Sequence, residues 1–307
     1  MIEATEYADV SFRSEGVECR GRYLRARNDR FLTAAGRPAV VMAHGLAGTV
    51  DSGLEPFAAG LSEAGLDVLA FDYRGFGLSA GRPRQAVSMA GQVADYRAAM
   101  AAAAVRPGVD GGRLVLWGVS LSGGHVLAAA ADRRDVAAVV SLTPLVDGPA
   151  ASRHGLGQHS LAQLLGTTAA GVRSRIAGLR GRPPVMIPAV GRPGSVAALT
   201  VPGCYENYLA LAGPSWRNSV DAALIFEVGR FRLGRTAQRL RCPVLVQIGD
   251  LDRSAPPRAA AKAAFRARAE VRHYPCDHWD VWPGRSWFEP TLAHQVAFLT
   301  RVLGSRS

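Results

Sequence analysis

The chain has 307 residues, of which 48% are hydrophobic and 20% are charged, and its formal net charge is +11. This balance is typical of a soluble globular protein, and the length allows one large domain or a core domain with an insertion. No apolar stretch reaches the roughly 18 residues needed to cross a bilayer, so we expect no membrane span.

Arginine supplies nearly all of the positive charge, because Lys262 is the single lysine. The arginines are spread along the chain, with modest clusters at residues 173–192 and 230–241. No zinc-finger spacing or RNA-binding signature accompanies them, so we expect a solvated basic surface and no nucleic-acid partner. Attraction to acidic partners and association into a homo-oligomer both stay open.

The cysteines occur singly and show neither the paired spacing of a zinc site nor a disulfide framework; they are Cys19, Cys204, Cys242 and Cys276. We expect reduced, mostly buried thiols and no bound metal. The first twelve residues lack a basic segment followed by an apolar one, so we predict no secretory signal and a cytoplasmic protein.

Short apolar runs alternate with helical patterns from Val40 onward, after an N-terminal segment that alternates in polarity and breaks at Glu15-Gly16. The break predicts an antiparallel hairpin at a sheet edge. Strands are predicted at residues 39–44, 66–72, 113–118 and 136–142, and helices at residues 54–65, 90–104 and from about 122. Such alternation predicts a parallel sheet covered on both faces.

The alternation stops at Pro144 and resumes after Arg241, and the segment between them is rich in glycine, proline and arginine. Two helical patterns lie within it, at residues 160–171 and 219–231. Strands then follow at 242–250 and 270–275, and helices at 256–268 and 287–303. We predict an α/β core of eight mostly parallel strands in residues 1–143 and 242–307, with an inserted helical cap in residues 144–241.

The stretch "LVLWGVSLSGGHVLAAAA" contains two serines at the junction of a strand and a helix, and either could be a nucleophile. A strained turn that presents a nucleophile needs small residues two positions before and after it, and both serines meet this condition. The apolar run ends at Trp117, so Ser120 falls at the tip of the turn. Ser122 falls in the first helical turn, where serine caps backbone N–H groups. We predict Ser120 as the nucleophile.

Acidic and basic partners follow the later strands, in "DLDRSAPP" and "CDHWD". The order serine, aspartate, histidine, each just past a strand, predicts a catalytic triad at the carboxyl edge of the sheet. His278 is the predicted base. Asp252 is the preferred acid because it lies deeper in its loop, and Asp250 is the alternative. We expect Asp277 to be a turn or surface carboxylate.

Acyl transfer also needs donors for an anionic intermediate. The Leu121 N–H lies at the start of the helix after Ser120, where the helix dipole favours negative charge. The second donor is predicted to be the Leu46 N–H, in the loop after the strand "VVMAH", with His44 and Gly45 shaping that loop.

Five stretches together resemble the serine α/β-hydrolase family: "VVMAHGLAGT", "LAFDYRGFGLSAG", "LVLWGVSLSGGHVLAAAA", "PVLVQIGDLDRSAPP" and "YPCDHWDVW". The set is most similar to cap-bearing bacterial esterases, lipase-like hydrolases and X-prolyl-peptidase-like proteins. The resemblance implies an eight-stranded sheet, a lid over the active site, and a triad of Ser120, Asp252 and His278. It also implies that Asp72 and Arg74 hold a loop near the pocket. Asp277 departs from the family, which commonly has glycine before the histidine.

The predicted activity is hydrolysis of a small-molecule carboxylic ester through an acyl-enzyme, a reaction that needs no cofactor. An acyltransferase, cyclase or thioesterase would use the same acyl-enzyme intermediate and is the second hypothesis. A third hypothesis is a binding protein that has the same fold but no catalytic turnover. Aromatic residues of the cap could line an acyl pocket or hold the cap together: Tyr205, Tyr208, Trp216, Phe226 and Phe231.

Overall fold

The computed structural model describes residues 7–304, and its centre is an eight-stranded sheet. The strands are β1 (Ala8–Ser14), β2 (Val17–Leu24), β3 (Arg37–Ala43), β4 (Asp67–Phe71), β5 (Val109–Val119), β6 (Val136–Leu142), β9 (Val244–Gly249) and β10 (Glu270–Tyr274), while β7 (Met186–Ile187) and β8 (Val220–Asp221) pair separately. Their order across the large sheet is β1-β2-β4-β3-β5-β6-β9-β10. Strand β2 is antiparallel to both neighbours, and the remaining pairs are parallel.

Helices cover both faces of this sheet. They are α1 (Glu55–Glu63), α2 (Met89–Ala104), α3 (Leu121–Ala130), α4 (Gly148–Leu156), α5 (Leu161–Leu179), α6 (Cys204–Leu211), α7 (Leu224–Arg230), α8 (Pro257–Ala267) and α9 (Phe288–Gly304), with a 3-10 turn at Thr236–Arg239. Helices α1 and α9 contact each other on one face, and α2 packs beside α3 on the other. The predicted α/β architecture and N-terminal hairpin are therefore confirmed.

Strand β5 shows how the sequence supplies a core to each face. Its residues Leu114 and Leu116 belong to one buried apolar cluster, whereas Val115 and Trp117 belong to the other. Successive side chains of a strand point to opposite faces, so a continuous apolar run is buried on both sides. This double burial makes β5 a rigid support for the turn that follows it.

The segment between β6 and β9, residues 144–241, we call the cap segment. It contains α4 to α7 and the small β7–β8 pair, and these elements are joined by long irregular stretches. It touches the core through Ser215, whose backbone N–H and hydroxyl donate to Asp51, and through Gln85, whose side chain donates to the Ser219 carbonyl at 2.9 Å. Loops at the carboxyl edge of the sheet therefore carry contacts to the cap segment.

Within residues 7–304 no helix is both long and apolar enough to cross a membrane. Cys19, Cys204 and Cys276 are buried, Cys242 is partly buried, and none of them forms a disulfide with another described cysteine. Part of the segment interpreted as lacking a secretory signal, residues 1–6, lies outside the described residues.

Candidate active site

Ser120 occupies the turn between β5 and α3 with φ of 58° and ψ of −119°, a conformation that residues other than glycine rarely adopt. Such local strain occurs at functional sites when the surrounding structure enforces it. Here the enforcement is close packing: a Cβ atom at Gly118 would lie 2.3 Å from the Ser122 carbonyl oxygen. The turn can therefore form only with small residues around Ser120.

Ser122 is fully buried and links the turn to the neighbouring strand. Its hydroxyl accepts a hydrogen bond from Val119 N–H at 2.8 Å and lies 2.7 Å from the Ala43 carbonyl, to which it donates. Ser120, by contrast, is partly exposed. The two serines therefore differ in accessibility, and Ser120 borders the cavity described below.

The loop after β3 lies directly against Ser120. A Cβ atom at Gly45 would come within 2.9 Å of the Ser120 Cβ, so only glycine fits there without a shift. The next residues form a turn in which Gly48 N–H donates to the Gly45 carbonyl and Ala47 has a positive φ of 55°. Leu46 and Leu121, the predicted oxyanion residues, both line the cavity that Ser120 borders.

Asp252 and His278 form a buried pair at the carboxyl edge of the sheet. Asp252 Oδ2 lies 2.7 Å from His278 Nδ1, and each side chain is at most 3% exposed. A carboxylate oxygen only accepts, so Nδ1 carries the proton and Nε2 keeps its lone pair. Asp252 is itself held, because its Oδ1 accepts from the N–H groups of Ser254 and Ala255.

Burial disfavours the imidazolium, but the charge and hydrogen bond of Asp252, together with the charge of Asp277, outweigh it and raise the pKa of His278 above 6.5.

Asp250, the alternative acid, forms a different pair. Its Oδ1 lies 2.6 Å from Nδ1 of His273, and both side chains are about half exposed. The loop after β9 thus contributes aspartates to two pairs, an exposed one with His273 of strand β10 and a buried one with His278 of the loop after β10. The buried pair is the one beside the loop residues Arg253 and Ser254, which line the cavity with Ser120.

Asp277, which we expect from the sequence to be a turn or surface carboxylate, is held by several hydrogen bonds. It accepts hydrogen bonds from the backbone N–H groups of Arg253 and His278 at 3.0 and 2.7 Å, and from the Arg253 guanidinium. Burial opposes ionisation of Asp277, but these hydrogen bonds and the Arg253 charge lower its pKa overall. Arg253 also donates to the Pro202 carbonyl of the cap segment. Through Arg253 and Asp277, the loop after β9 that contains Asp252 is therefore joined to the loop after β10 that contains His278, and to the cap segment.

The cap segment also reaches the loop after β3. The Tyr208 hydroxyl of α6 donates to the Leu46 carbonyl at 2.6 Å, and its ring packs against Trp216 and Trp279 at centroid distances of 5.1 and 5.3 Å. Trp279 follows His278 in the chain. Tyr208 therefore connects the loop after β3, which contains Leu46, to the loop after β10, which contains His278.

His44 has a structural environment. Its ring stacks on Trp282, and its Nε2 lies 2.9 Å from the Ser52 carbonyl, to which it donates. Burial lowers the pKa of His44 to about 4, so the ring is neutral at pH 7. Asp72 holds the same region, because its carboxylate accepts from the N–H groups of Val50 and Leu78 at 2.7 and 3.0 Å.

A cavity of about 520 Å³ lies between the Ser120 turn and the cap segment. This volume falls in the range of small-molecule sites, roughly 300–1,000 Å³. About half of its lining residues are aliphatic, and the larger ones of the cap segment come from the chain after β6, α4, α5, the chain before α6 and α7: Leu145, Leu156, Leu164, Leu199, Val201, Leu224, Ile225 and Val228. Of the five cap aromatics, only Phe226 lines it, while Tyr208, Trp216 and Phe231 pack against other rings.

A sequence model described as "alpha/beta hydrolase fold" matches residues 38–284. The chain belongs to the α/β-hydrolase family. The "Quorum-quenching protein AidA" of Acinetobacter baumannii is 35% identical over 298 residues, which cover 96% of this chain and 95% of that protein. Membership and fold therefore agree with the resemblance seen in the five sequence stretches.

Two further relatives come from fungi. The "Thiohydrolase aneE" of Aspergillus aculeatus is 34% identical over 194 residues, covering 62% of this chain and 58% of that protein. The "Polyketide transferase grgF" of a Penicillium species is 30% identical over 159 residues, about half of each chain. The crystal structure of GrgF superposes with a TM-score of 0.76 over 97% of this chain and 99% of its own, at 23% identity.

Sequence reasoning missed two contacts around this site: the Tyr208 hydroxyl on Leu46 and the pairing of Arg253 with Asp277. For the second there was a signal, since the resemblance marked Asp277 as a departure from the family. Tyr208 lies 162 positions from Leu46 and had no signal of its own.

Proposed function

We propose that this α/β hydrolase cleaves carboxylic esters with Ser120 as nucleophile, His278 as general base and Asp252 as the residue that orients the base. The observation that carries the proposal is the buried 2.7 Å contact between Asp252 and His278. It lies at the same sheet edge as a serine held at a positive φ beside an apolar cavity.

Acylation begins when the Ser120 hydroxyl gives its proton to Nε2 of His278 and its oxygen bonds to the ester carbonyl carbon. The carbonyl electron pair moves to the oxygen and forms a tetrahedral oxyanion. Its collapse breaks the bond to the leaving alkoxide, which takes the proton from His278 and departs as an alcohol. The acyl group stays on Ser120.

Deacylation repeats these steps with water in place of the hydroxyl. His278 removes a proton from water, the hydroxide attacks the acyl carbon, and Ser120 leaves with the proton that His278 returns. Asp252 keeps its hydrogen bond to Nδ1 throughout and stabilises the imidazolium that forms twice in each cycle.

Backbone N–H groups of Leu46 and Leu121 hold the oxyanion in this proposal. Leu121 is the first residue of α3, where N–H groups lack a partner within the helix and the dipole favours negative charge. Leu46 follows Gly45, which is in contact with Ser120. Donors fixed before the reaction stabilise the transition state more than mobile water does.

The aliphatic wall of the cavity favours a substrate with an apolar acyl group. Burial of each methylene is worth about 0.8 kcal/mol, so chain length should govern the apparent affinity until the cavity is full. The name of the bacterial relative AidA records quorum quenching, which agrees with an enzyme that destroys a small molecule.

Transfer of the acyl group to an acceptor other than water, or cleavage of a thioester, is the second candidate. The names of two relatives favour it, because they describe a thiohydrolase and a polyketide transferase. Product analysis with and without an amine or alcohol acceptor separates transfer from hydrolysis.

Labelling with a fluorophosphonate probe tests the nucleophile. We expect wild-type protein to be labelled and Ser120→Ala to lose the label, while the matched variant Ser122→Ala keeps it if it folds. Labelling of folded Ser120→Ala at the wild-type level would contradict the assignment. A series of p-nitrophenyl esters of increasing chain length then measures the acyl preference.

A further inference from the structure

Net charge is distributed unevenly between the cap segment and the core. Residues 144–241 contain twelve arginines and only four acidic residues, so they carry eight of the eleven net positive charges of the chain. The remaining residues, more than twice as many, carry the other three. The cap segment is therefore strongly basic, whereas the core is nearly neutral.

Helix α5 of the cap segment exposes an apolar ridge. Its members are between 41% and 84% exposed and are Leu161, Leu165, Val172, Ile176 and Leu179. Each residue of an α-helix advances by 100°, so these five fall within an arc of about 60° along a helix roughly 28 Å long. We call them the α5 ridge.

Exposed arginines lie at the C-terminal end of the α5 ridge: Arg173, Arg175, Arg180 and Arg182. No carboxylate among the described residues lies within ion-pair distance of any of them, and the guanidinium of Arg175 lies 5.7 Å from the centre of the Phe226 ring. An amphipathic helix with an exposed apolar stripe and flanking arginines is typical of segments that lie in the interface of an anionic bilayer.

The cavity wall and the α5 ridge share a helix. Leu164, Thr167 and Thr168 of α5 line the cavity, and Thr168 is also exposed, about 20° from the edge of the ridge. Leu156 of α4 is likewise 60% exposed while lining the cavity. The cavity therefore reaches the protein surface beside the ridge.

We propose that the α5 ridge and the four arginines at its C-terminal end dock the protein on an anionic lipid surface. The ridge would insert at the boundary of headgroups and acyl chains. The mouth of the cavity then faces the bilayer. If Ser120 acts as proposed above, an apolar ester dissolved in the bilayer would reach it without crossing water; the docking itself does not depend on that function.

A second copy of the chain fits this surface less well. Two-fold pairing through the α5 ridge would bring together two cap segments that each carry eight net positive charges, and like charges repel. Nucleic acid would use the arginines but leaves the aliphatic ridge in water, since bases stack on aromatic rings and not on leucine. An anionic bilayer satisfies both features.

Vesicle flotation tests the docking without any turnover. We expect the full chain to float with vesicles containing phosphatidylglycerol, to bind vesicles of phosphatidylcholine alone far less, and to be released by high salt. Ser120→Ala should float like wild type, so loss of the proposed activity and loss of docking are distinguishable.

Two pairs of variants separate the features of the surface. Leu165→Ser with Val172→Ser removes part of the ridge, and Arg173→Gln with Arg180→Gln removes charge; each should lower partitioning about tenfold or more. Matched controls on the core are Val105→Ser with Phe265→Ser, both more than 80% exposed, and Arg258→Gln with Lys262→Gln. The controls should bind like wild type.

Absence of flotation at low ionic strength, or equal losses in the core controls, would overturn the proposal. So would a dimer that the ridge variants convert to a monomer, because the ridge would then be a self-association surface. Duplex DNA binding that depends on the arginines but not on the ridge would overturn it as well.

Discussion

The core and the cap segment differ in both composition and architecture. The core presents buried loops at the edge of a doubly covered sheet, where Asp252 and His278 are at most 3% exposed. The cap segment has helices joined by irregular stretches, an exposed apolar ridge on α5 and most of the net charge. We infer that the core holds reacting groups in place, whereas the cap segment decides what reaches them.

Two of the contacts between these regions involve the loops of the proposed active site: the Tyr208 hydroxyl donates to the Leu46 carbonyl, and the Arg253 guanidinium donates to the Pro202 carbonyl. Substitutions in the core should therefore act on the chemical step, and substitutions at these contacts should act on positioning. The following predictions test that division.

The largest effect should come from the buried aspartate. Asp252→Asn keeps the shape of the side chain but no longer stabilises the imidazolium, so we expect kcat to fall by about 10⁴-fold. Asp250→Asn is the matched control, since it changes the exposed pair with His273, and should leave kcat unchanged. Steady-state kinetics on a p-nitrophenyl ester measures both, and the reverse ranking would move the acid to Asp250.

A smaller effect should follow loss of the Tyr208 hydroxyl. Tyr208→Phe frees the Leu46 carbonyl in a turn where Ala47 has a positive φ, so the turn can relax and misplace the neighbouring N–H. We expect kcat to fall about tenfold with KM little changed, less than removal of an oxyanion donor itself.

The control for Tyr208→Phe is Tyr205→Phe, which removes a phenol from the same helix. Unchanged kcat in Tyr208→Phe, with normal folding by circular dichroism, would show that the cap segment does not position the Leu46 loop.

The smallest effect concerns the pH dependence of kcat/KM. His278 faces Asp252 and Asp277, with Arg253 and the neutral His44 nearby, and the negative charge of Asp277 helps to raise its pKa. Asp277→Asn removes that charge and leaves Arg253 unpaired, and both changes lower the pKa. The acid limb should therefore move to lower pH, by less than about one unit.

Asp250→Asn is the control here too, because it alters an exposed carboxylate of the same pair of loops. A shift of the acid limb to higher pH in Asp277→Asn would contradict the electrostatic role of Asp277.

The core could be predicted from the sequence because its signals are local. Runs such as Leu114 to Trp117 are buried on both faces, and the helices between strands repeat their apolar residues at regular spacing. The order of Ser120, Asp252 and His278 predicted which side chains to compare, and the structure brings Asp252 and His278 into contact. Their catalytic roles stay a proposal.

The cap segment was predicted only in outline. The pattern at residues 160–171 predicted the first part of α5, but the helix extends to Leu179. The prediction stopped short because the apolar residues of the last two turns are exposed and do not follow the pattern of a core-facing helix. Helices α4 and α6 are short and their stability comes from tertiary contacts, for which the sequence carries little signal. The net positive charge of the cap segment gives no local sequence signal, because it arises from a low content of aspartate and glutamate more than from clusters of arginine.

The hydrogen bond from Tyr208 to Leu46 has a consequence for protein engineering. Exchanging residues 144–241 for the equivalent insertion of a relative would remove the phenol that supports the loop beside Ser120. A chimera made to broaden substrate choice would then lose turnover for a reason unrelated to fit, unless the donor insertion brings a hydroxyl to the same carbonyl.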